Sequence, residues 1–210
     1  MRRILRGGTA GNERLTATVG IVLIGLLGAE AVTAIDLHDL LSTHLFLGLL
    51  LLGPVGLKLA TTGWRFVRYY LRSEAYRLLG PPQTLLRLLA PLLVASALVL
   101  FGTGIAFLVV GHGGGFLLTL HAASFVVFGV VVSLHTLAYL RRVARDGFAD
   151  WRSWRPTMPG TALRRLAVVG ALGVGALVAL ATLSVQGSWL SARHHHHRHG
   201  REDAFAGHRD

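Results

Sequence analysis

Apolar residues fall in five long runs, at about 15–35, 40–59, 85–110, 116–140 and 163–186, with polar stretches between them. A bilayer crossing needs about 20 predominantly apolar residues, so each run is long enough to span. Only helices satisfy their own backbone polar groups in lipid without forming a closed barrel. The pattern therefore predicts an all-α polytopic membrane protein with five transmembrane helices. The expected organisation is a basic N-terminal segment (1–14), a four-helix membrane bundle (15–140), a basic loop (141–162), a peripheral fifth helix (163–190) and a His-rich tail (191–210).

Composition agrees with the pattern. The chain has 210 residues, 52% of them hydrophobic and only 15% charged, where a soluble domain carries about 25% charged residues. There are no cysteines, which excludes disulfides, thiolate zinc sites and c-type haem attachment and leaves histidine as the main transition-metal ligand. The net charge of +11 invites a nucleic-acid reading. The charges bracket the apolar runs instead, as membrane topology signals do, and no nucleic-acid partner is expected. Arg2, Arg3, Arg6 and Arg14 precede the first run, and no cleaved leader is expected. Lys58, Arg65, Arg68, Arg72, Arg77 and Arg87 surround the second connection, and Arg141, Arg142, Arg145, Arg152, Arg155, Arg164 and Arg165 the fourth. The first connection, IDLHDL, has two acids and no Lys or Arg, and the third, GHGGG, has no charge. This alternation places the N-terminus in the cytoplasm and the C-terminus outside the cytoplasmic membrane. Trp64, Tyr69, Tyr70 and the segment DWRSWRP are expected to anchor on lipid headgroups with the neighbouring arginines.

Ionisable groups inside spans are expensive and mark candidate sites. The fourth run, FLLTLHAASFVVFGVVVSLHTLAYL, has no acid, Lys or Arg but holds His121 and His135. Fourteen residues at about 100° each fall about 40° short of four turns, so both imidazoles share one helix face, about 21 Å apart. His44 lies a few residues into the second run at a depth matching His121, because these two spans run in the same direction. Two imidazoles at one depth can supply both axial ligands of a haem iron. Gly48 and Gly129 lie on the faces of His44 and His121 and would leave room for a porphyrin, as would Gly102 and Gly104. The position matching His135 on the second span is Lys58. Either these two hold a second haem, or Lys58 neutralises a propionate or headgroup while His135 borders a quinone pocket. A single intramembrane histidine is also commonly an interhelical hydrogen-bond donor. Glu30, Asp36 and Asp39 are expected to be solvated at the interface, Glu30 alternatively belonging to a proton path or cation site. His38 and His112 read as solvated loop residues.

The segments HDLLSTHLFLGLLLLGPVGLKLATTGWRFVRYY and LLAPLLVASALVLFGTG, with the 14-residue histidine spacing, resemble bacterial b-type membrane cytochromes and a group of uncharacterised actinobacterial membrane proteins. The resemblance covers roughly residues 36–140. It implies a haem-binding four-helix bundle, with haem b at His44 and His121 and a possible second haem at His135. It departs from the two-haem pattern at Lys58. The implied activity is electron transfer between quinone and an extracytoplasmic redox partner, as a component rather than a stand-alone catalyst. The alternative is a non-catalytic scaffold or metal-handling protein, whose tail histidines His194, His195, His196, His197 and His199 collect a metal ion weakly. A transporter would be expected to show an inverted repeat, and none is visible. Ser96, Ser124 and Ser133 have no evident base partner, which disfavours a hydrolase.

Overall fold

The computed structural model describes residues 8–71, 84–110, 115–152 and 158–187. Five helices account for almost all of them: α1 (Gly8–Ile35), α2 (Leu41–Tyr70), α3 (Thr84–Val110), α4 (Gly115–Asp146) and α5 (Thr161–Ala181). Each contains a stretch long and apolar enough to cross a membrane. The fold is all-helical with five candidate spans, as the hydropathy pattern requires. Several helices outrun their apolar runs. α1 starts at Gly8, so residues 8–14 of the basic N-terminal segment are helical, and α2 continues past Arg65 to Tyr70. Nothing in the backbone stops a helix where lipid ends; only the side chains change. Pro54 sits inside α2 without ending it, which neighbouring helices make tolerable in a span.

α1, α2 and α5 form one packed group, and α3 and α4 form a hairpin. Leu15 and Val19 of α1 and Val168 of α5 are the buried centre of the first group, with Leu57 of α2 against them. Large apolar side chains such as Val109, Phe116 and Leu177 point outwards, a surface suited to lipid rather than water.

The fifth helix was expected at the periphery, and its packing corrects that. Among the described residues α5 pairs most extensively with α2, more than any other two helices pair. At the crossing a Cβ on Gly175 would overlap the Leu50 carbonyl oxygen and stand 2.9 Å from its carbon; one on Gly53 would overlap the Ala171 oxygen. Ala171 and Gly175 form a small-x-x-x-small pair. Such pairs let helix backbones touch where no hydrophobic effect drives association.

The α3–α4 hairpin joins the first group near the arginine-rich end. There Thr18 of α1 donates to the carbonyl of Gly147 at 2.8 Å, just past α4. Gly147 leaves no space for a Cβ beside Ile21. Trp151 and Arg152 of the expected headgroup belt are exposed, residues 153–157 lie outside the described residues, and other arginines at this end pair inward. Arg164 is 2% exposed and pairs with Asp150, itself 3% exposed, through both Nε and Nη2. Arg14 of α1 reaches the same carboxylate at 3.3 Å, and Arg165 donates to the Asp150 backbone oxygen. Asp150 thus ties the start of α1 to the start of α5. Its burial pushes the carboxyl up, but hydrogen bonds and charge from Arg164, then Arg14, outweigh this and hold it below the ordinary carboxylate value.

Candidate functional site

Each helical hairpin brings a threonine to its histidine. In the first, α1 and α2 run antiparallel about the turn at 36–40, so residues equidistant from it meet. His44 Nδ1 lies 3.0 Å from Thr33 Oγ1 and 3.1 Å from Glu30 Oε1. The Thr33 hydroxyl already donates to the Glu30 backbone oxygen at 2.7 Å. Its oxygen is therefore free to accept, which suits the His44 tautomer with the proton on Nδ1. In the second hairpin His121 Nδ1 lies 2.8 Å from Thr103 Oγ1, whose hydroxyl donates to the Val99 and Leu100 carbonyls. The same arrangement suits the His121 tautomer with the proton on Nδ1. Phe107 meets the His121 ring edge-on at 5.7 Å, and a Cβ on Gly104 would stand 3.4 Å from His121 Cε1.

The two histidines come from different hairpins. Among the described residues α2 and α4 share no extended packing, so the helices carrying the pair are not sealed against each other. Both Nε2 atoms remain for a ligand once Nδ1 is engaged. A ligating histidine typically donates its other ring N–H to a carboxylate or similar acceptor, which fixes its orientation. On that test the donor set orients each ring as a ligating imidazole would be oriented. It does not form a compact cage for a bare ion: no group of three or more His, Cys, Asp or Glu suited to a metal occurs among the described residues.

Glu30 was expected to be solvated, and its placement overturns that. Its side chain is 12% exposed, bonded to His44, and its Oε1 lies 3.2 Å from where a Gly48 Cβ would stand. The room at Gly48 is thus occupied by a carboxylate. The available signal was positional: Glu30 and His44 lie at similar distances on either side of the first turn. Gly129 and Gly102 each face open space. Asp36, His38 and Asp39 are exposed, with His38 Nδ1 2.7 Å from Asp39 Oδ1.

Lys58 and His135 are brought within electrostatic range of each other, but they do not bond. Lys58 Nζ donates to the Thr16 backbone oxygen of α1 at 2.7 Å. His135 Nδ1 is buried with no hydrogen-bond partner, and its ring packs on Tyr139 at 5.0 Å. Ser96 and Ser124 donate to carbonyls three residues back in their own helices, the usual fate of hydroxyls in spans. The tail histidines His194, His195, His196, His197 and His199, and His112, lie outside the described residues.

No protein family, no curated protein and no solved structure matches this chain.

Proposed function

We propose that this chain is a multi-pass b-type membrane cytochrome that holds one haem b between His44 and His121 and transfers electrons. Its exchange partners are a lipid-soluble quinone and an extracytoplasmic redox protein, and it sits in the cytoplasmic membrane with its N-terminus inside. The reading rests on one observation: two intramembrane histidines from separate hairpins, each tied at Nδ1, leave both Nε2 atoms available. When bound, the haem supplies one-electron chemistry at its iron. The chain's own residues hold the rings. Thr33 and Glu30 orient His44, Thr103 orients His121, and these bonds raise the basicity of the free nitrogens. Lys58 is engaged with α1, so His135 has no second ligand across from it, which favours a single haem.

The test is a dithionite-reduced minus oxidised spectrum of protein purified from haem-replete cells, with a pyridine haemochrome assay. One b-type haem per chain, lost in His44→Ala and in His121→Ala, is the expected result. A colourless protein overturns the proposal. The alternative, a scaffold with structural histidines, is favoured by the interhelical hydrogen bonds themselves, which bridge α1 to α2 and α3 to α4. It predicts no haem and loss of helix pairing when Thr33 or Thr103 is removed.

A further inference from the structure

Towards the arginine-rich end, α1, α2 and α4 converge on Gly20. A Cβ there would stand 3.3 Å from Lys58 Nζ and 3.8 Å from a Val143 methyl. The Lys58 ammonium makes one hydrogen bond, to the Thr16 backbone oxygen, and among the described residues no carboxylate pairs with it. Three further polar atoms near this end are buried without a hydrogen-bond partner, Thr16 Oγ1, His135 Nδ1 and Trp64 Nε1, while Glu13 Oε1 at the same end faces Arg65 at 3.8 Å. Thr16 carries the carbonyl that Lys58 holds, and His135 lies within range of the Lys58 charge. A cation without a counter-charge and unpaired polar atoms contributed by three helices are costly inside a span. Groups of this kind are met by an acceptor that carries negative charge.

We infer that Lys58, Thr16 and His135 form a binding site for an oxyanion headgroup carried on an acyl chain. This goes beyond electron transfer and does not depend on haem. Lys58 lies seven residues before Arg65, about 10 Å deeper along the helix. A ligand at that depth arrives through the bilayer, so a phospholipid phosphate or a fatty-acid carboxylate fits and a water-soluble anion does not. The ammonium and the Thr16 hydroxyl donate to the oxyanion, and His135 Nδ1–H completes the set. Trp64 lies nearer the headgroup layer.

The experiment is native mass spectrometry of the delipidated full chain, re-exposed to phosphatidylglycerol, to oleate or to phosphatidylcholine. Native protein should retain phosphatidylglycerol or oleate in preference to phosphatidylcholine, and which of the two is retained identifies phosphate or carboxylate as the headgroup. Lys58→Met removes the charge with little change in length, and should weaken that retention about tenfold or more, as loss of a charge-assisted bond does. Thr16→Val, a smaller change that keeps the backbone carbonyl, should weaken it several-fold. Arg145→Gln, at an exposed arginine on the same end that pairs with Asp146, should leave it unchanged. Equal retention of all three lipids by native protein, or native-like retention in both Lys58→Met and Thr16→Val, overturns the site. The same measurement on His121→Ala should match native protein, so the result stands or falls apart from the haem reading.

Discussion

Gly175→Ala adds one methyl group at the α2–α5 crossing, and the structure dictates its sign. The new Cβ would overlap the Leu50 carbonyl oxygen and come within 2.9 Å of the Leu50 carbonyl carbon and 3.2 Å of its Cα. All three are backbone atoms, which cannot rotate away as a side-chain tip can. The helices must separate, and overpacking of this kind costs about 1–3 kcal/mol. Separation also loosens the opposite contact, where Gly53 faces Ala171 and the Gly175 nitrogen. Gly173→Ala, two residues earlier on the same helix, meets nothing within 4 Å. There the better helix propensity of alanine should act alone, stabilising by up to about 1 kcal/mol. Thermal unfolding of the two variants in detergent should move in opposite directions from native protein. Because either seam substitution already opens the crossing, Gly53→Ala combined with Gly175→Ala should cost less than the two single changes together. If Gly175→Ala is as stable as Gly173→Ala, the close α2–α5 seam is wrong.

Asp150→Asn should destabilise the chain by about 3–5 kcal/mol, because Arg164 would be left buried without its counter-charge; unfolding in detergent at neutral pH measures it. The Asp150 carboxyl is held below its ordinary value in the fold. Its stabilisation is therefore complete above the unfolded carboxylate value near about 4 and is lost as pH falls through the lower folded value. Native protein should lose stability on acidification below about pH 4, and that part of the pH dependence should vanish in Asp150→Asn. Thr103→Val removes the acceptor for His121 Nδ1 and leaves a buried N–H unpaired. A loss of about 1–3 kcal/mol is expected, together with a changed midpoint potential if haem is bound, read by redox titration. Thr18→Val should cost about 1 kcal/mol and loosen the α1–α4 join, since its hydroxyl reaches the Gly147 carbonyl; a native-like unfolding curve would refute that role.

Much of the architecture was legible in the chain because the bilayer imposes a one-dimensional rule. A run of apolar residues long enough to cross must be a helix, and five runs give five helices whatever their neighbours. The histidines at 44 and 121 were visible for the same reason, since depth follows from counting residues along a span. What counting could not supply was the lateral arrangement. Hydropathy is the same whether a helix faces lipid or another helix, so the close packing of α5 on α2 emerged only from backbone contact at Gly53 and Gly175. Charge patterning likewise placed Arg14, Arg164 and Arg165 at one end but could not say that they fold inward onto Asp150 rather than outward onto headgroups. Glu30 was read as solvated because its distance from the end of its helix was known and its rotation was not. The tertiary structure turns it towards His44 and Gly48, where an acceptor was needed. Sequence alone determined how deep each group lies; only the packing of helices decided which groups face one another, because rotation about a helix axis is set by neighbours and not by length.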